Sequence, residues 1–172
     1  MERTCRYHRL SQTFDSARHS VHMRPLKTAV RTKGDLLPIP AAERDRIALE
    51  CYMALCTLRS GRGDCHTLTV LTHALVATHF LLEAGVSDDR ERRATFDAAQ
   101  DAINRCDPAA AVAGACAPAS AAASDAIGGL LALYDRQLRL APRATVAQVA
   151  DRVDAYLGRS RDAAGETKQC AA

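Results

Sequence analysis

Histidine and cysteine are the residue types in this chain that suit metal chemistry, and their spacing argues against a metal site. Three of the six histidines, His66, His73 and His79, lie in one apolar run. Two histidines on one helix share a zinc ion when they are four residues apart, because both nitrogens must lie about 2 Å from the ion. His66 and His73 are instead separated by about 10 Å of helical rise. We therefore predict no metal and no other cofactor, and we expect half-buried histidines with polar partners.

A metal- or thiol-dependent protein that uses His66, His73 and Cys65 is kept as a third hypothesis. It would need Glu50 or a cysteine from the preceding helix as a further ligand. The seven cysteines form no CxxC pair and no regular framework. Their odd number, and the lack of an apolar stretch at the N-terminus, favour the reducing cytoplasm.

Motifs of nucleophilic and phosphate chemistry are not found in the sequence. It contains no GxSxG elbow, and the glycines of residues 60–63 lack the GK[ST] ending of a phosphate loop. Glu50 and a histidine of the next helix could do acid–base work, but such a pair more often satisfies two half-buried polar groups. We predict that the protein is not an enzyme.

Positive charge is concentrated at the N-terminus. Residues 1–34 carry eight Arg or Lys and two acids, whereas the rest of the chain carries fifteen and eighteen. The excess of arginine over lysine is typical of a GC-rich bacterial genome and does not by itself indicate nucleic acid. Residues 1–38 are predicted to be a basic, mostly disordered arm and an extended connector. Translation from Met23 rather than Met1 is an alternative start.

The composition of the arm suits contact with phosphates. Residues 18–33 contain five Arg or Lys and no acid, and such an arm gains affinity by counterion release without reading bases. The candidate nucleic-acid-binding residues are Arg18, Arg24, Lys27, Arg31 and Lys33. A solvated terminus with no binding role is the alternative.

Helical periodicity dominates residues 39–106, which we predict to be a three-helix segment with helices near 41–59, 64–85 and 87–106. In the first, only Glu50 and Thr57 are polar between Ile47 and Leu58, so we expect neighbours to cover most of its circumference. The second has no Asp, Glu, Lys or Arg from Cys65 to Leu82. Its three histidines and four threonines favour a buried core helix over a membrane span.

The second half of the chain is predicted to complete the bundle. Residues 107–123, rich in Ala, Pro, Ser and Gly, indicate a flexible linker. Residues 124–158 form a helical hairpin whose second helix starts at a Thr145–Gln148 capping box and ends at Gly158. Residues 159–172 are a polar tail. The fold class is all-α, a small bundle of about five helices with a disordered basic N-terminal arm.

The start of that last helix resembles one half of a DNA-binding motif. Residues 145–153 match the T-x-x-x-V-A-x-x-V pattern of the first helix of many helix-turn-helix motifs. A turn glycine and a second, basic recognition helix should follow. The sequence instead continues to Gly158 and then loses its apolar pattern, so we interpret the match as coincidental.

A longer resemblance covers about two thirds of the chain. Residues 24–62 contain Lys-Thr-Ala-Val-Arg-Thr, Leu-Leu-Pro-Ile-Pro and Arg-Ile-Ala-Leu-Glu-Cys-Tyr-Met-Ala-Leu. This segment is similar to small helical proteobacterial proteins commonly labelled "Fis family transcriptional regulator", and the similarity extends loosely to residues 133–138. The resemblance implies DNA binding. The basic recognition helix of Fis proteins is not found in this sequence, so no DNA-contacting residue is carried over.

These observations lead to one main hypothesis and one alternative. The main hypothesis is a non-enzymatic cytoplasmic regulatory or accessory protein, associated with transcription, whose helical body binds an unidentified protein partner or itself and whose arm contacts nucleic acid. The alternative is a helical protein–protein interaction module with no nucleic-acid binding. Neither involves a membrane.

Overall fold

The computed structural model describes residues 32–86 and 90–169. Within these residues the chain forms one short 3₁₀ helix, Lys33–Leu36, and six α-helices. No strand occurs in the described ranges, which contain two isolated β-bridges. The all-α prediction is confirmed.

The first two α-helices, α1 (Ala41–Arg59) and α2 (Cys65–Glu83), lie where their patterns predict them. Asp64 caps α2, and its side chain accepts a hydrogen bond from the Thr67 backbone N–H at 2.8 Å. The pKa of Asp64 is lowered by this hydrogen bond and by a second one from the Thr67 hydroxyl. After α2 the chain turns at Gly85, whose φ of 74° is a left-handed conformation that glycine adopts readily.

The next three helices are α3 (Arg90–Asn104), α4 (Pro108–Val112) and α5 (Ala121–Leu140). The presence of α4 differs from the predicted linker at residues 107–123. Asp107 caps α4 with its side chain, and a proline at the first helical position suits helix initiation. Cys116 is fully buried, and its backbone exchanges two hydrogen bonds of 2.9 Å with Gly63. This segment is therefore fixed to the bundle by packing and pairing that its composition does not reveal.

The last helix, α6 (Arg143–Gln169), is longer than the sequence predicts at both ends. It starts two residues before the predicted Thr145 cap, directly after Pro142. It also passes through Gly158, which was predicted to end it, and includes most of the predicted polar tail. A glycine inside a helix costs about 1 kcal/mol, too little to stop a helix that its neighbours otherwise favour.

The central element of the bundle is α2, which packs against all five other α-helices. Its first half joins a core cluster with α1, α3, α4 and α5 that includes Leu58, Leu71, Ile103 and Ile127. Its second half joins a smaller cluster with Leu138, Val149 and other residues of α5 and α6. The predicted core helix is thus observed, and α1 and α6 are both placed against it.

Candidate interaction surfaces

One side of α1 is apolar and exposed. Leu49, Tyr52 and Met53 have exposed fractions of 63%, 41% and 58%, and Cys56 is also exposed. Spacings of three, one and three residues place these four side chains on one side of the helix. We call these four residues the outward face of α1.

The opposite side of α1 is buried. Cys51, Ala54, Leu55 and Leu58 face the bundle and are less than a tenth exposed. They pack against α2 and α5. Neighbours therefore cover one side of α1 and leave the other open, which corrects the expectation that most of the circumference is covered.

Two ion pairs lie within α1 near the outward face, and Arg44 also lies 3.9 Å from Asp135 of α5. The Arg44 guanidinium lies 2.9 Å from the Asp45 carboxylate, and Arg46 lies 3.8 Å from Glu50. These local pairs balance the charge along the border of the outward face. Contiguous exposed apolar side chains of this kind mark contact sites more often than scattered ones do.

A groove of about 600 Å³ runs between α1 and α6 over the surface of α2. Its floor is the side of α2 that carries Val70, Ala74, Ala77 and Leu81. The α1 wall contributes Glu43, Ile47, Glu50 and Cys51, and the α6 wall contributes residues from Arg143 to Asp154. We call this cavity the α1–α6 groove.

The lining of the groove is mostly apolar, and most of its charged groups are acids. Its acids are Glu43, Glu50 and Asp154. Arg143 is the one Arg or Lys among its described lining, which also contains His66 and His73. The positions of the acids on α1 and α6 put negative charge on both walls. Size and lining are those of a binding cavity, which in proteins is mostly apolar with a few placed polar groups.

Two ionisable groups in the groove are kept neutral by their surroundings. Burial raises the pKa of the Cys51 thiol to about 11, and the negative charge of Glu50 adds to the effect. Burial likewise raises the pKa of the Tyr134 hydroxyl, with further contributions from Cys51 and Glu50. Neither group is an activated nucleophile or base near neutral pH, because both stay protonated.

Two of the residues considered for a metal site do lie together in this groove. His66 is exposed and His73 is half-buried, and both line the α2 side of the groove whose α1 wall carries Glu50. Cys65 lies in the first turn of α2 and is not part of the lining. Among the described residues, no group of three or more His, Cys, Asp and Glu side chains has the arrangement to hold a metal ion.

His79 has the partner that a half-buried histidine needs. Its Nε2 atom lies 3.3 Å from one carboxylate oxygen of Glu83. The other oxygen accepts a 2.7 Å hydrogen bond from the Arg152 guanidinium. Burial lowers the pKa of His79, opposed by Glu83 and assisted by Arg152 and Arg93. The Arg152 guanidinium stacks over the Phe80 ring at 4.0 Å, so this cluster joins α6 to α2.

The predicted nucleic-acid-binding residues lie almost entirely outside the described part. Arg18, Arg24, Lys27 and Arg31 are outside it. Lys33 is exposed in the 3₁₀ helix, which Thr32 and Asp35 cap reciprocally. The helix-turn-helix pattern at residues 145–153 lies inside the uninterrupted α6, so no turn follows it.

By length and composition alone α2 could cross a membrane, but most of it is buried among the other helices, as in the core of a bundle. No family model, no curated protein and no solved structure matches the chain.

Proposed function

We propose that this chain is a non-enzymatic helical interaction module, and that the outward face of α1 binds the same face of a second copy. One observation carries the proposal. Leu49, Tyr52 and Met53 are large apolar side chains at helical spacing that no part of the described bundle covers. Burying such side chains against a partner removes apolar surface from water, at about 25 cal/mol per Å².

A second copy suits this face better than a charged partner does. A symmetric dimer brings one patch against itself, so the patch must be self-complementary. An apolar face is self-complementary in chemistry, and the pairing of Arg44 with Asp45 and of Arg46 with Glu50 limits repulsion between like charges. A nucleic acid or an acidic protein would find no excess of positive charge here.

The size of the face sets the expected affinity. Stable dimers commonly bury about 800 Å² per partner through 20–30 residues. The outward face has four apolar residues, so we expect a reversible dimer with a dissociation constant of roughly micromolar order rather than an obligate one.

The basic arm is the regulatory part of the proposal. A dimer would present two arms and so raise its avidity for nucleic acid without new contacts. The described helices offer no recognition helix, so this binding would rest on phosphates and fall steeply with salt. We expect Arg24→Glu/Lys27→Glu to weaken binding of the protein to a nucleic-acid column at low salt. Binding that these changes leave unaltered would contradict a role for the arm and leave the protein–protein interaction as the only proposed function.

Sedimentation velocity over a range of concentrations tests the dimer directly. We expect the wild-type chain to shift from monomer to dimer between about 1 and 100 µM, as the proposed affinity requires. Met53→Glu, which places a charge within the face, should stay monomeric throughout. Val112→Glu is the matched control, because Val112 is 55% exposed on α4 and outside the face.

Two results would contradict the proposal. One is a wild-type chain that stays monomeric across the whole range. The other is a dimer that Met53→Glu leaves intact, since the contact would then lie elsewhere on the molecule.

A further inference from the structure

The geometry points to a specific occupant for the α1–α6 groove: the basic segment of this same chain, residues 18–31. We propose that this segment docks in the groove of its own molecule, with apolar side chains on the α2 floor and basic side chains against the acidic walls. The inference goes beyond the proposed dimer, since the groove and the outward face of α1 use different residues.

The chain enters the described part of the molecule beside one end of the groove. The 3₁₀ helix Lys33–Leu36 packs on α6. The Arg143 backbone N–H donates a 2.7 Å hydrogen bond to the Leu37 carbonyl, and Ile39 lines the groove. The residues immediately before Thr32 therefore start close to the groove.

The segment is long enough to reach the other end. The α2 floor extends from Leu81 to His66, which corresponds to about 22 Å at 1.5 Å of rise per residue. Residues 18–31 span up to about 46 Å when extended and about 21 Å as a helix. The groove can thus be filled along its length in either conformation.

The charges of segment and groove are opposite in sign. Residues 18–31 contain four Arg or Lys and no acid. The lining contributes the carboxylates of Glu43, Glu50 and Asp154 against the guanidinium of Arg143, and of the three acids Glu50 also lies 3.8 Å from Arg46. Opposite charges on facing surfaces favour a basic segment over an acidic one in the groove. Because the segment belongs to the same chain, its effective concentration at the groove is in about the millimolar range.

The residue types of the segment also match the interior of the groove. Val21, Met23, Leu26 and Val30 alternate with the basic residues. The groove presents partly exposed apolar side chains to them, Val70 on the floor and Ile47 and Val146 on the two walls. A merely electrostatic contact would not need this second match, and a small apolar ligand would make no use of the Glu43 and Asp154 carboxylates.

Hydrogen exchange measured by mass spectrometry on the full chain tests this docking. In the wild type we expect backbone amides of residues 18–31 to exchange at least about tenfold more slowly than in Glu43→Lys/Asp154→Lys, because exchange reports opening of the docked state. Asp97→Lys/Asp151→Lys is the matched control. It makes the same charge change at exposed positions outside the groove lining, and exchange should remain as slow as in the wild type.

A second variant keeps the test independent of any damage to the bundle. Arg24→Glu/Lys27→Glu changes only the segment and should release it to the same extent. Combining these two changes with Glu43→Lys/Asp154→Lys restores opposite charges with their signs exchanged, so exchange should slow again.

Fast exchange of residues 18–31 in the wild type would overturn the proposal, and so would protection that neither charge reversal removes. Protection that disappears on dilution would place the segment in the groove of a second copy, which contradicts docking within one molecule. Met53→Glu should keep the protection, so a failure of the dimer and a failure of the docking are distinguishable.

Discussion

The two sides of α1 carry the same pattern displaced by two residues, and they have opposite surroundings. Cys51, Ala54, Leu55 and Leu58 are buried, whereas Leu49, Tyr52, Met53 and Cys56 are exposed. A displacement of two residues rotates a side chain by about 200° around the helix. The difference therefore comes from the neighbours: α2 and α5 cover one side, and no described element covers the other. Substitutions on the buried side should therefore lower the stability of the fold, whereas the exposed side is available for contact with a partner.

The largest effect is expected from truncation on the buried side. Leu58 is fully buried in the main core cluster, so Leu58→Ala should lower the free energy of unfolding by about 2–5 kcal/mol. Leu49→Ala, two and a half turns earlier on the exposed side, should change it by less than about 0.5 kcal/mol. Urea denaturation of both variants at low protein concentration measures the difference. Equal losses would mean that the two sides are covered alike.

Overpacking on the same buried side should have a smaller effect. A Cβ atom at Gly63 would lie 2.7 Å from a Leu58 methyl carbon and 2.8 Å from the Cys116 carbonyl oxygen. We expect Gly63→Ala to destabilise the protein by about 1–3 kcal/mol. Gly158→Ala in α6 meets nothing within 4 Å and should raise stability by about 0.5–1 kcal/mol. Thermal unfolding that ranks the two variants in the opposite order would contradict the proposed contact.

The smallest effect concerns reactivity rather than stability. Cys51 and Cys56 lie on opposite sides of α1, and burial raises the pKa of Cys51 to about 11. At pH 8 a thiol reagent should modify Cys56 rapidly and Cys51 only through opening of the bundle. Mass spectrometry of peptides from the labelled protein distinguishes the two sites, with Cys56→Ser as the control.

The raised pKa of Cys51 also predicts the direction of a pH effect. Its value in the folded state lies above the reference value of 9.0, so the unfolded chain releases this proton first as the pH rises. The stability that the protonated thiol contributes is fully present below about pH 9 and is lost as the pH approaches about 11. Urea titrations at several alkaline pH values should give a shallower loss for Cys51→Ala than for the wild type.

The sequence predicts the bounds of the first two α-helices well, because their signals are local. The bounds of α1 and α2 follow from apolar spacing, the Asp64 cap and Gly85, all of which are visible without the fold. The same local reasoning fails at residues 107–123, where Pro108, Gly114 and Pro118 indicate a linker. The contact that fixes that segment joins Cys116 to Gly63, 53 residues away, and no local pattern encodes it.

The sequence predicts the outward face of α1 and the α1–α6 groove only in part. The largely apolar run in α1 predicts that neighbours cover most of the helix, but it cannot show which side the bundle covers. Glu50, His66 and His73 were considered together as acid–base or metal residues, and the structure does bring them to one groove. The sequence could not show that they line one mostly apolar groove, because its second wall is α6, which is distant from them in the chain.

The hydrogen bond between Arg143 and Leu37 has a mechanical consequence. It joins the segment that precedes α1 to the first turn of α6. Pro38 forms an isolated β-bridge with Pro142 next to this hydrogen bond. Tension applied to the front of the polypeptide would thus load α6 before it loads α1. A molecule that binds the residues before Thr32 and pulls on them would therefore displace α6, which forms one wall of the α1–α6 groove.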